Sequence, residues 1–161
     1  RKYTKAFPWI YKVALKSHGK AQYRLGYIYQ KGYGVSGDYE LAMKWYRRAA
    51  SNGSTEAMYM MGSLYRIGCG VSESDRQALK WYLKAATHGN TDAMNNVAHL
   101  YEWGYGVTKN IRAAVKWYSG AADQGNTEAM YSLGHLYETK DNVKDLQKAI
   151  HWYQKAAMHN Y

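Results

Sequence analysis

Apolar side chains return along this chain with a period near 3.6 residues, and the phase of that pattern itself recurs. Ala57, Met61, Leu64 and Tyr65 fall on one stripe, which predicts an amphipathic helix of about a dozen residues. Ala78, Trp81, Tyr82, Ala85 and Ala86 form a second stripe, with Lys80 and Lys84 on its polar side. Ala21, Ala57, Ala93 and Ala129 begin four copies of this arrangement, 36 residues apart, and Tyr29, Tyr65, Tyr101 and Tyr137 follow in phase. Trp45-Tyr46, Trp81-Tyr82 and Trp117-Tyr118 keep the same interval, while Trp152-Tyr153 arrives one residue early. The double alanines Ala49-Ala50, Ala85-Ala86, Ala121-Ala122 and Ala156-Ala157 close the copies. Such a period describes a unit that cannot bury its apolar face alone and stacks on its neighbours. The expected class is an all-α solenoid of antiparallel helix pairs.

Between the two stripes lies Gly32-Tyr33-Gly34-Val35, repeated as Gly68-Cys69-Gly70-Val71 and Gly104-Tyr105-Gly106-Val107. The first glycine suits a left-handed helix terminus and the second a further turn. No strand precedes these loops and a third glycine is missing, so they are not phosphate cradles. Asp38 and Asn110 are expected to cap second helices. Gly53, Gly89 and Gly125 end those helices, and Thr55, Thr91 and Thr127 precede acids in the next first turn. Gly26, Gly62, Ala98 and Gly134 recur inside the first helix. Glycine there costs about 1 kcal/mol relative to alanine, so a neighbouring Trp or Tyr is expected to press on that register.

Composition changes this picture little, and charge changes it more. The 161 residues include 18 Tyr and 6 Trp, side chains that fill volume while keeping a polar edge. Pro8 is expected at the start of the first apolar segment, where a lost amide donor matters least. Net charge is +10, and residues 1–48 carry eleven Lys and Arg against Asp38 and Glu40, whereas residues 49–161 carry eleven against ten acids. The basic N-terminal end suits a solvated cap or an acidic partner surface. Cys69 stands alone, so there is no disulfide framework. No segment has the roughly 18 uninterrupted apolar residues of a membrane span. The expectation is a soluble chain, cytoplasmic or exported after removal of a signal outside this sequence.

Glu56-Ala57 through Leu64-Tyr65, the Gly-x-Gly-Val loop, Ala78 to Tyr82 and Ala85-Ala86 ahead of Gly89 resemble the Sel-one-like repeat (SLR), a branch of the tetratricopeptide superfamily. The resemblance runs from residue 20 to residue 161. It implies a right-handed superhelix of helix pairs acting as a noncatalytic adaptor or scaffold, including roles in signalling, host interaction and toxin neutralisation. On this reading residues 1–161 are one repeat domain, with residues 1–19 a partial capping repeat and full repeats at 20–55, 56–91, 92–127 and 128–161. Two departures stand out. Glu138 to Val143 replace the glycine loop of copy four, and Trp9 to Gly19 resemble only a second helix. The paired cysteines of the disulfide-bonded bacterial members are absent, and the beta-lactam activity linked to those members is not carried over.

The resemblance also implies that first helices line a concave groove. Lys20, Tyr23, Tyr27 and Gln30 then form its first row, followed by Glu56, Tyr59, Ser63 and Arg66. Asp92, Asn95, His99 and Glu102 follow in copy three, and Glu128, Tyr131, His135 and Glu138 in copy four. Tyrosines beside charged groups are typical anchors at protein interfaces. The expected partner is a peptide or protein surface, in an adaptor or an immunity-type protein that docks on one effector. Single-stranded RNA or an acidic ligand at the basic end is the alternative, and the groove acids oppose RNA. His99 with Glu102 and His135 with Glu138 form two pairs one helical turn apart, the candidate ligands for a divalent metal. The repeat by itself accounts for both pairs, so the expectation is no metal, no cofactor and no catalysis; Cys69 has no activating base nearby in sequence.

Overall fold

The computed structural model describes residues 2–159, which among them form nine α-helices and no strand. In order these are α1 (Lys2–Leu15), α2 (Gly19–Lys31), α3 (Tyr39–Ser51), α4 (Thr55–Ile67), α5 (Asp75–Thr87), α6 (Thr91–Trp103), α7 (Ile111–Ala122), α8 (Thr127–Thr139) and α9 (Leu146–His159). The chain divides into two compact units, residues 1–85 and residues 86–161. None of the described helices is long and apolar enough to cross a membrane.

In the first unit, α1 packs on α2, α2 on α3 and α3 on α4. Ala14, Leu25 and Trp45 form a core cluster there, with Phe7, Ile10, Ala21 and Tyr29 packed against it. Pro8 lies within α1, not at its start. The helix continues past the missing donor because Phe7, Ile10 and Ala14 on either side are held by that cluster. In the second unit α6 pairs with α7, α7 with α8 and α8 with α9. Its core joins Ala98, Tyr118, Ala121, Leu133 and Leu136 with Ala156.

The recurring glycine inside the first helix has the physical reason its register suggested. A Cβ on Gly26 would stand 2.7 Å from the Tyr46 ring, on Gly62 2.6 Å from Tyr82, and on Gly134 2.7 Å from Tyr153. Tyr46, Tyr82 and Tyr153 are therefore wedged directly against the backbone of their own first helices, and in copy three Ala98 shares a core cluster with Tyr118. Tyr46, Tyr82 and Tyr118 are fully or almost fully buried. Tyr29, Tyr65, Tyr101 and Tyr137, whose place on the apolar stripe predicts core positions, are only half-buried, as are Trp81, Trp117 and Trp152. Those indoles lie at the core margin, where Lys84 and Lys155 stand 4.4 Å and 4.7 Å over Trp81 and Trp152, while Arg48 stands 4.8 Å over the buried Trp45.

Gly32, Gly68 and Gly104 end α2, α4 and α6 in the left-handed conformation, and Gly34, Gly70 and Gly106 adopt it again in the loop. Each reversal is then locked by one backbone bond, from Asp38 N–H to Tyr29 O, Ser74 N–H to Tyr65 O and Asn110 N–H to Tyr101 O. Copy four keeps the bond, Asp145 N–H to Tyr137 O, without the glycines. It spans one residue fewer, which accounts for the early Trp152-Tyr153. Asp38 and Asn110 accept from the Leu41 and Ala113 amides as capping residues, and Asp145 accepts from Lys148. For α4, α6 and α8 the caps are Ser54, Asn90 and Asn126. Thr55, Thr91 and Thr127 are the first helical residues after them.

Candidate functional site

In the first unit the groove candidates sit on α2 and α4, off the apolar stripe that faces the core. Lys20 and Glu56 are exposed; Tyr23, Tyr27, Gln30, Tyr59, Ser63 and Arg66 are half-buried. The Tyr23 ring lies 5.8 Å from that of Tyr46 and 6.4 Å from Tyr27, which in turn is 6.0 Å from Tyr33. Tyr59 leans on Tyr82 at 5.7 Å. Tyr23 and Tyr59 thus rest on the buried tyrosine of the partner helix, and Tyr27 is held between Tyr23 and Tyr33, which restricts their rotamers. Among the described residues the hydroxyls of Tyr23, Tyr27 and Tyr59 have no hydrogen-bond partner. Burial raises the Tyr23 hydroxyl pKa above its ordinary value, with a further push from the Glu56 carboxylate.

The inner hydroxyls behave differently. Tyr46 donates to Gln30 Oε1 at 2.6 Å, and Tyr82 to Ser63 Oγ at 3.1 Å. Burial pushes both hydroxyls upward in pKa, against the lowering bond to Ser63 in the case of Tyr82. Gln30 and Ser63 are therefore occupied by the fold itself. Their positions explain each other: Arg66 stands where Gln30 stands in the previous copy, a guanidinium cannot accept, and Ser63 one turn earlier takes the bond.

In the second unit the same register carries carboxylates. Tyr118 donates to Glu102 Oε2 at 3.1 Å, and Tyr153 to Glu138 Oε2 at 2.7 Å. The Tyr153 pKa is pushed up to about 12, first by burial and then by Glu138, and that of Tyr118 moves in the same direction, first by burial and then by Glu102. Glu102, expected on the accessible row, is 5% exposed; Lys140 Nζ lies 3.7 Å from its other oxygen and also covers the Trp103 ring at 5.2 Å. A buried carboxylate is tolerable only with such partners. Asn95, also expected on that row, is buried, and its Oδ1 has no hydrogen-bond partner among the described residues. Asp92 accepts from Asn126 Nδ2 at 2.9 Å. His99 packs by Trp103 and Tyr105, and His135 and Glu128 are exposed. Tyr131 is 60% exposed, its ring 5.5 Å from Tyr153, and its hydroxyl has no partner among the described residues.

Sequence reasoning missed the tyrosine acceptors. Their signal was the fixed separation of Gln30 from Tyr46 and Glu102 from Tyr118, shortened by one residue for Glu138 and Tyr153. The His-Glu pairs do not assemble as a metal site: the Glu102 and Glu138 carboxylates serve tyrosines, and among the described residues no three His, Cys, Asp or Glu side chains converge. Cys69 is half-buried in the loop between α4 and α5.

Comparison with known proteins agrees with this architecture. The family model described as Sel1 repeat matches residues 19–54, 55–90, 91–126 and 127–161. A Sel1 repeat protein from Oxalobacter formigenes is similar over 97% of this chain, at 35% identity and a TM-score of 0.92, and this chain spans 65% of its length. A protective antigen of uropathogenic Escherichia coli with an SLR fold aligns over 97% of this chain and 41% of its own, at 30% identity and a TM-score of 0.57. An immunity protein from Pseudomonas aeruginosa aligns over 99% of this chain and 59% of its own, at 26% identity and a TM-score of 0.64. The search of curated proteins returned no match. With four consecutive repeats matched, the chain belongs to the Sel1 repeat family, whose repeats are noncatalytic scaffolds for protein–protein contact.

Proposed function

We propose that this chain is a noncatalytic binding module that holds a peptide or protein surface on its first helices, with Tyr23, Tyr27 and Tyr59 as anchors in the first unit and Tyr131 as an anchor in the second. The observation that carries the reading is the contrast between two classes of tyrosine. Inner rings spend their hydroxyls on Gln30, Ser63, Glu102 and Glu138, whereas outer rings are braced from behind and keep their hydroxyls available. A braced aromatic loses little rotamer freedom on binding and brings both apolar area and a donor. Lys20, Arg66 and His135 border these rings on the same helices and set charge register. Gln30, Ser63 and Glu102 contribute by fixing the inner rings, and Glu138 does so with one face still exposed.

The specific form we favour is an adaptor or immunity-type protein that docks on one effector, a reading supported by the similarity to the Pseudomonas aeruginosa immunity protein. Affinity capture from the source cells, with the intact chain and a Tyr23→Ala/Tyr59→Ala variant as baits, tests it. A defined protein retained by the first bait and reduced about tenfold or more on the second is expected. Equal retention on both, or recovery of RNA alone with binding lost at moderate salt, contradicts it.

A further inference from the structure

We propose that the channel between α1 and α2 is a second docking site, which seats an apolar side chain of an acidic segment from a partner protein. The inference rests on the protein-binding reading above and adds to it a separate face and a chemistry for what binds there. Trp9 and Val13 form one wall, Ile10 and Ala21 the floor, and Lys20 and Arg24 the opposite wall of a channel of about 380 Å³. That space suits one or two Leu-sized or Phe-sized side chains.

Trp9 is 70% exposed and Val13 44% exposed. Phe7, Ile10 and Ala14 supply the contact of α1 with the core, and among the described residues neither Trp9 nor Val13 belongs to that cluster. Trp9 and Val13 adjoin Ile10 and Ala21 as one contiguous apolar patch, the kind of surface that serves interaction. Across the channel, Lys20 and Arg24 are exposed and have no ion-pair partner among the described residues. No carboxylate lines the channel. The unit around it carries fifteen Lys and Arg against five Asp and Glu, so its field draws acidic segments inward. A second copy that docks through the same face would bring a second positive unit to it and be repelled. A flat lipid surface would meet the Trp9 and Val13 ridge and leave the floor empty.

The test uses the full chain and a labelled peptide of about twelve residues, Leu at helical i, i+3, i+4 and i+7 positions and Glu elsewhere. Two control peptides replace every Leu by Ser or every Glu by Lys. Lys20 belongs to both proposed faces, so the diagnostic variants are Trp9→Ala and Arg24→Glu, each checked for unchanged helix content by circular dichroism. We expect the Leu/Glu peptide to bind the intact chain and Tyr59→Ala alike, and to bind each diagnostic variant about fivefold or more weakly. Equal affinity for the Ser control would show bulk charge attraction and overturn the proposal. So would no binding, unaltered binding by both variants, Trp9-dependent dimerisation in sedimentation, or preferred capture of phosphatidylserine vesicles. Failure here together with tyrosine-dependent capture of a protein would defeat only this inference; loss of that capture would defeat the reading beneath it.

Discussion

Residues 1–85 and residues 86–161 are built from the same repeat yet differ sharply in charge. The first holds fifteen Lys and Arg against five acids and the second seven against seven, so the whole net charge of +10 resides in the first. Their interiors show a related contrast. Tyr46 and Tyr82 donate to neutral acceptors, Gln30 and Ser63, while Tyr118 and Tyr153 donate to Glu102 and Glu138. The ion pairs of Lys140 with Glu102 and Lys148 with Asp145 also belong to the second unit. What the repeat requires is a ring against a glycine or alanine and an acceptor for its hydroxyl. The charge of that acceptor and of the outer surface is free to vary, and variation in the first unit leaves Lys20 and Arg24 exposed to a partner.

The largest effect expected is on the shared wedge. Gly62→Leu and Gly134→Leu each drive a side chain into a ring that already excludes a Cβ, and each should lower stability by about 1–3 kcal/mol or more by overpacking. Calorimetry or urea unfolding reads this directly, and an effect in one unit only would break the claim of a common wedge. Even Gly62→Ala should destabilise, because the roughly 1 kcal/mol gained in helix propensity is less than the cost of displacing Tyr82.

The acceptors come next. Glu102→Ala removes the carboxylate acceptor of the buried Tyr118 hydroxyl, leaving it only Ser132, and should cost about 1–3 kcal/mol, whereas Glu102→Gln, which keeps an acceptor, should cost less in urea unfolding. Gln30→Glu in the first unit copies the second unit's chemistry and should be tolerated at neutral pH. A loss as large as that of Glu102→Ala would show that the units are not interchangeable at this register.

Alkaline titration gives a smaller effect. The raised pKa values of Tyr46, Tyr82, Tyr118 and Tyr153 mean that folding favours the neutral phenols. Their contribution is complete below about pH 10, the ordinary tyrosine value, and declines as pH rises through the folded values. For Tyr153 that window runs up to about 12. Urea midpoints should therefore fall with rising pH above 10, and Tyr153→Phe should reduce the slope. The smallest stability effect is expected for Tyr59→Ala, under about 1 kcal/mol, since Tyr59 is half-buried and its hydroxyl has no partner among the described residues.

Much of the fold was legible because helical period and glycine spacing act locally. The stripe through Ala57 and Tyr65, the left-handed ends at Gly32 and Gly68, and the caps Asp38 and Asn110 follow from chain-local chemistry. The wedge at Gly62 was legible too, since a costly residue repeated in register needs a reason. The acceptor roles were not. Periodicity assigns Gln30 and Glu102 to the side away from the core, and it contains nothing about a phenol reaching across from the neighbouring helix. The burial of Asn95 was hidden likewise, because Tyr23, Tyr59 and Tyr131 at the same register remain partly or largely exposed. Ser54, Asn90 and Asn126 were overlooked as caps although they recur in phase, because the Thr-acid step beside them drew the boundary one residue late.

The most direct measurement is hydrogen exchange on the intact chain with and without the protein recovered by capture. Slowed exchange is expected in α2 around Tyr23 and Tyr27 and in α4 around Tyr59, with the exposed side of α3 unchanged. Protection confined to the second helices, with α2 and α4 exchanging as in the free chain, would contradict a partner held by the outer tyrosines.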